Sequence, residues 1–145
     1  DAYCGVGLFG IGVTDASNPL YGIESSGAAV RDARVNADHG TFLRGDVNRI
    51  LREHKLRVDA IVLDPPRGGC SPETIGALAD CGASRIVYVS CDPATLARDV
   101  ARFRECGYAL IQAQPIDLFP QTYHIETVAL LNRVDQATGN AARSE

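Results

Sequence analysis

No stretch of this sequence approaches the roughly 18 consecutive apolar residues of a membrane-spanning helix. Its start, Asp1-Ala2-Tyr3-Cys4-Gly5, has neither the basic end nor the apolar run of a signal peptide, so a cytoplasmic protein without a membrane partner is expected. The five cysteines, Cys4, Cys70, Cys81, Cys91 and Cys106, are odd in number and none are spaced as CxxC. Their pattern argues against a disulfide framework and a zinc site, and no metal is expected. Internal repeats and low-complexity stretches are also lacking. So is a surplus of positive charge: 14 Lys and Arg stand against 18 Asp and Glu, a formal net charge of −4. A polyanion bound by such a chain would need to be gripped mainly by regions outside it. What remains, 145 residues with 46% hydrophobic and 22% charged, is the composition of one compact domain. That domain is assigned to residues 1–133, and the polar, small-residue segment 134–145 is read as a disordered tail.

Short β-rich runs alternate with helical segments. Leu20–Glu24, Thr41–Arg44, Val58–Leu63, Arg85–Ser90 and Tyr108–Ala113 read as strands, and this alternation predicts a doubly wound, mostly parallel α/β sheet of the Rossmann-like kind. Ser71-Pro72 and Asp92-Pro93 each place a capping side chain before a proline at the first helical position, while Gly82 and Gly107 fit the left-handed residue after a helix. After Pro93, Leu96, Val100 and Phe103 recur at i, i+4 and i+7, so one face packs on the sheet. Ser25–His39 reads as a further helix, with Ala29, Val30, Ala33 and Ala37 inward and Gly40 closing it. His124–Asn132 reads as a strand following Tyr108–Ala113 too closely for a crossover helix, which predicts an antiparallel return. The first glycine turn begins at Gly5, leaving only Asp1–Cys4 to form the strand that feeds it. The first strand is therefore expected to be truncated and the chain a fragment of a longer protein.

Gly5-Val6-Gly7-Leu8-Phe9-Gly10 matches GxGxxG, a turn whose missing side chains let the backbone approach a ligand. Glu24, about 20 residues later at a strand end, is placed to accept hydrogen bonds from two ribose hydroxyls. A dinucleotide site and an S-adenosylmethionine site both satisfy these features, as does a plain glycine turn beside an exposed acid. Asp46 follows the next strand, where it serves either a ligand or a helix cap. Asp64 precedes Pro65 and Pro66, which fix an extended backbone and make a rigid acidic corner at the sheet edge where α/β proteins bind ligands.

Cys91 stands at the tip of the strand Arg85–Ser90, immediately before a helix N-terminus. The partial positive charge there lowers a thiol pKa toward the nucleophilic thiolate, with Asp92 partly opposing it. Cys70, Cys81 and Cys106 are read as buried structural cysteines. Glu126 enters an apolar strand, where desolvation would raise its pKa toward that of a useful proton acceptor; a charge on an edge strand is the alternative. His124 shares its face and is read as a hydrogen-bonded structural histidine.

Taken in order, Asp1-Ala2-Tyr3-Cys4-Gly5-Val6-Gly7, Asp64-Pro65-Pro66-Arg67, Val89-Ser90-Cys91-Asp92-Pro93-Ala94-Thr95-Leu96-Ala97-Arg98-Asp99 and Phe119-Pro120-Gln121-Thr122-Tyr123-His124-Ile125-Glu126 resemble the RNA 5-methyluridine methyltransferases that act on transfer and ribosomal RNA. The resemblance implies a class I methyltransferase fold, S-adenosylmethionine as cofactor and an RNA substrate. It further implies Cys91 as nucleophile, Glu126 as the base that removes the carbon 5 proton, and cofactor contacts at Tyr3, Gly5, Gly7, Glu24, Asp46 and Asp64. Members carry an additional N-terminal region, often an RNA-binding β-barrel and in some cases an iron–sulfur cluster. A glutamine that usually helps hold their cofactor would lie before Asp1.

Carbon 5 of uracil is too weak a nucleophile to take a methyl group directly, so covalent activation by a thiolate at carbon 6 is the expected route. Arg67 and Asp64 are the nearby candidates to stabilise the resulting enolate, and Tyr123 is the aromatic expected to receive the unstacked base. An amino-group nucleic-acid methyltransferase would also use an acid followed by two prolines but does not require Cys91. An NAD-dependent dehydrogenase leaves Asp64-Pro65-Pro66, Cys91 and Glu126 unexplained. A truncated cofactor-binding module is the third alternative, and the isolated residues 1–145 are expected to be marginally stable and inactive on RNA.

Overall fold

The computed structural model describes residues 1–37, 39–118, 120–122 and 125–134. The readings placed on Tyr123, His124 and residues 135–145 lie outside them. Among the described residues, five helices, α1 (Leu8–Val13), α2 (Gly27–Asn36), α3 (Val47–His54), α4 (Pro72–Asp80) and α5 (Pro93–Glu105), alternate with strands β1 (Tyr21–Glu24), β2 (Thr41–Arg44), β3 (Ala60–Leu63) and β4 (Arg85–Ser90). Strands β5 (Tyr108–Ile116) and β6 (Glu126–Arg133) close the order. No described helix is long and apolar enough to cross a membrane.

β1 pairs with β2 and β3 with β4 in parallel, while β6 runs antiparallel to both β4 and β5. The two groups join through Ala2, which bridges Ile23 on one side and Leu63 on the other. The resulting order is β2, β1, the Ala2 segment, β3, β4, β6, β5: a Rossmann-like sheet with one reversed strand, as the sequence predicts. The segment at Ala2 forms a single bridge to each neighbour rather than a strand of its own. Ala2 N donates to Val62 O at 2.8 Å, Ile23 N to Asp1 O at 2.9 Å and Cys4 N to Ile23 O at 3.0 Å. A cavity of about 520 Å³ lies between β1 and β3, lined in part by Asp1, Tyr21, Ile23, Ala60 and Val62.

The caps act as their sequence positions require. Ser71 Oγ accepts from Thr74 N at 3.2 Å, and Asp92 Oδ1 accepts from both Ala94 N and Thr95 N at 2.9 Å. Gly82 and Gly107 adopt φ of +81° and +85°, the left-handed region that stops α4 and α5. Leu96 and Phe103 of α5 are buried against the sheet, where each large apolar side chain contributes roughly 1.5–3 kcal/mol. The main core gathers Leu63, Ile75, Leu78, Ile86, Tyr88, Phe103, Tyr108 and Leu131. A smaller second core under α2 and β2 holds Cys4, Leu20, Val30, Ala33 and Phe42.

Five elements depart from expectation at their limits, and β1 does so by beginning at Tyr21 rather than Leu20. α2 covers residues 27–36 rather than 25–39, because Ser26 Oγ caps it and Ala37 already has extended backbone. β3 begins at Ala60 rather than Val58. β5 runs to Ile116, past Pro115, because an edge strand leaves one side of its backbone unpaired and tolerates proline there. β6 begins at Glu126, not His124, and runs through Arg133; Val134, assigned to the tail, still donates to Gly107 O at 2.8 Å.

Candidate active site

The expected site residues lie at the carboxyl-terminal edge of the parallel strands. Gly5 turns with φ +53°, and a Cβ there would meet nothing within 4 Å, so its backbone borders open space. Gly7 differs: at φ +89° it is the N-cap of α1, and a Cβ would press on Ile11 at 2.6 Å and Phe42 at 3.3 Å. It packs the turn against the protein rather than facing a cavity. Glu24 ends β1, where Oε1 accepts from Ser26 N at 2.7 Å and Ser25 Oγ at 3.0 Å, while Oε2 accepts from Gly5 N at 3.2 Å. Burial alone would raise its pKa, but these donors outweigh it and hold the carboxyl below its ordinary value. A preset carboxylate thus sits against the glycine turn.

Tyr3 occupies the left-handed region at φ +62°, uncommon for a non-glycine residue, and its phenol interacts with the side chains of Cys70 and Thr74. Burial pushes that phenol above its usual range, with the nearby Asp46 carboxylate adding to the effect. Asp46 caps α3, its Oδ1 accepting from Arg49 N at 2.9 Å, so the cap reading is realised at a position still close to Tyr3.

At the other end of the edge, Cys91 directly follows β4, half-buried, and Asp92 begins the cap of α5. The last β4–β6 pair is Ser90 with Thr127. Cys91 follows Ser90 and Glu126 precedes Thr127, so both stand one residue beyond that pair at the same edge of the sheet. Glu126 is half-buried at the opening of β6, not inside an apolar strand as its sequence neighbours suggested. Asp64 completes the group. It reaches solvent, yet desolvation by its surroundings first, and the Glu126 carboxylate second, raise its pKa above the ordinary value. Arg67 adds positive charge at the same turn, where it helps the hydrogen bonds from Thr95 and Ala94 hold Asp92 below its usual range.

The remaining cysteines separate from Cys91 by environment. Cys70 and Cys81 are buried, and burial raises both thiols, Cys70 to about 11. Cys106 is partly exposed at the C-cap of α5, not fully buried as read from sequence.

Asp99 was given no role in the sequence reading, yet it is fully buried and collects four hydrogen bonds. The signal was present: a carboxylate three residues after Leu96 and four before Phe103 lies on the helix face that packs on the sheet.

The chain is similar to known proteins over most of its length. The sequence profile described as tRNA (Uracil-5-)-methyltransferase matches residues 41–134. An uncharacterised RNA methyltransferase of Gloeobacter violaceus is 46% identical over 138 residues, covering 92% of this chain and 30% of that protein. The crystal structure of Pyrococcus abyssi tRNA (uracil-54, C5)-methyltransferase in complex with S-adenosyl-L-homocysteine superposes with a TM-score of 0.76 at 33% identity, covering 90% of this chain and 33% of that one. A TehB-like S-adenosylmethionine-dependent methyltransferase from Corynebacterium glutamicum, 17% identical with a TM-score of 0.71 and covering 92% of this chain and 78% of that one, shares the fold. This chain spans about 30% of the length of the curated relatives it matches. With the profile extending over more than half its length and the motif residues gathered on one sheet edge, the chain belongs to the tRNA (uracil-5-)-methyltransferase family.

Proposed function

We propose that this chain is the catalytic part of an enzyme that transfers a methyl group from S-adenosylmethionine to carbon 5 of a uracil in transfer or ribosomal RNA. The end of the β4–β6 ladder supports the reading: its last pair, Ser90 with Thr127, is one residue short of the Cys91 thiol and the Glu126 carboxylate, the two groups a covalent cycle needs. The residues at that edge also fit the cofactor. Glu24 offers fixed acceptors for ribose hydroxyls, Gly5 leaves backbone open to a ligand, and Tyr3, Asp46 and Asp64 stand along the same rim. Gly7 contributes by shaping the turn.

The cofactor supplies an electrophilic methyl group. Cys91 as thiolate adds to carbon 6 of the uracil, and the carbon 5–carbon 6 π pair moves through carbon 4 to its oxygen as an enolate. Returning through carbon 5, that pair would form the new bond to the methyl carbon, whose bond to the sulfonium sulfur would break with its electrons left on sulfur as the neutral thioether. Glu126 then takes the carbon 5 proton; the released pair restores the double bond and expels the Cys91 thiolate. Arg67, whose charge acts at the Cys91–Asp92 turn, is the group placed to favour the enolate. The acidic composition assigns most of the RNA grip to regions beyond these residues.

Substitutions separate the two roles. In the RNA-binding form of the protein, Cys91→Ala should abolish methylation and adduct formation, a loss of more than about 10³-fold, while Cys106→Ala leaves both intact. Glu126→Gln should complete methyl transfer and then stall, accumulating a methylated protein–RNA adduct that denaturing gels detect. Equal losses from the two cysteine changes, or normal turnover by Glu126→Gln, would sink the assignment.

A further inference from the structure

We propose that Asp99 is a positioning residue: with Arg98 and Arg102 it clamps the loop at residues 65–70, fixing Asp64 and Arg67 relative to Cys91. The inference rests on the reading of Cys91 as nucleophile and extends it. Asp99 Oδ2 accepts from Cys70 N at 2.7 Å and from the Tyr88 hydroxyl at 2.8 Å. One oxygen therefore ties the end of the loop to β4, three residues before Cys91. Oδ1 accepts from Arg98 Nε at 3.0 Å and Arg102 Nη1 at 3.2 Å, so the buried charge is paired.

Both guanidinium groups also reach the loop backbone. Arg98 Nη2 donates to Gly68 O at 2.7 Å and Arg102 Nη1 to Cys70 O at 3.3 Å. Gly69 N donates to Pro66 O at 2.7 Å, closing a tight turn. Gly69 holds φ +71°, and a Cβ there would collide with the Asp99 carboxylate and the Arg98 guanidinium. The glycine is thus required by the clamp as well as by the turn.

Packing alone does not account for a carboxylate here. Apolar residues of similar volume often replace buried ion pairs without loss of stability, and Leu96 and Phe103 already seat the helix. A carboxylate adds direction: it specifies where the amide of Cys70 and the hydroxyl of Tyr88 must point. The loop so held carries Asp64, which faces Glu126, and Arg67, which acts on Asp92. A displacement of about 1 Å at such a group costs on the order of 100-fold in rate.

Asp99→Asn tests the clamp, because one acceptor becomes a donor facing donors. Hydrogen exchange across residues 64–71 should accelerate at least about tenfold while β4 stays protected. Single-turnover methyl transfer, measured at saturating S-adenosylmethionine, should fall roughly 10–100-fold with little change in KM for RNA. Should Asp99→Asn not fold, Arg98→Ala, at a half-exposed side chain, and Gly69→Ala, which keeps the carboxylate but crowds it out of its position, take the same measurements. Unchanged exchange in 64–71, or accelerated exchange with an unchanged single-turnover rate, would overturn the proposal. If the wild-type protein forms no adduct with 5-fluorouridine RNA, the uracil reading fails, and the exchange measurement still decides whether Asp99 holds the loop.

Discussion

At the scale of single residues, Asp64 makes a prediction that catalysis does not enter. Its folded-state pKa lies above the ordinary value because desolvation and Glu126 both disfavour the charge. With the folded value above the unfolded one, its contribution to stability is present at acid pH and lost as pH rises through the folded pKa. Asp64→Asn should therefore stabilise the protein at neutral pH, by about 1–2 °C in Tm for a half-solvated site, and the gain should vanish below the carboxylate range. A gain that grows as the pH falls would contradict the assignment. Legibility was uneven at this scale. The places of Cys91 and Asp64 just past strand ends were legible, because prolines and a helix start sit beside them in the sequence. Asp99 was not read, because its partners Cys70 and Tyr88 lie 29 and 11 residues away and only folding brings them together. At Gly7 the room a side chain would need is filled by Ile11 and Phe42, a packing constraint that the GxGxxG spacing alone does not show.

Among the elements, those with explicit punctuation came through cleanly. β2 and β4 match their sequence limits, and α4 and α5 begin after the capping residues that announced them. Ser71 carries the cap of α4, and Ser71→Ala should cost about 1 kcal/mol, lowering Tm by roughly 3–4 °C in a domain of this size. Urea denaturation with an unchanged slope would confirm that the loss is of stability alone; an effect below about 0.3 kcal/mol would show that water caps the helix as well. α3 received no reading of its own. Its eight residues bury Val47, Ile50 and Leu51, but four charged or imidazole-bearing side chains, Arg49, Arg52, Glu53 and His54, dilute the apolar pattern. β5 and β6 were misjudged at their ends because edge pairing, rather than propensity, decides where each stops. Their register shifts between Leu110 and Gln112, so the pairing of β6 with β5 accommodates an extra residue while its pairing with β4 stays regular through Ser90 and Thr127.

For the whole molecule, the order of the sheet followed from the alternation of strands and helices, whereas its division into two cores did not. That division predicts uneven protection. Amides of β1 and β2 should exchange together, at an opening free energy at least about 1 kcal/mol below those of β4 and β6, since α2 and β2 pack around the smaller core of Cys4, Leu20, Val30, Ala33 and Phe42. Uniform exchange across the six strands would argue against it. The seam between the two groups is the short ladder at Ala2. The main core crosses that seam, because Ile23, Val47, Ile50 and Leu51 on one side pack in one cluster with Leu63, Ile75 and Leu78 on the other. Glu24 ends a strand on the first side and Cys91 follows one on the second, so the stiffness of that shared core sets how far apart the two groups stand.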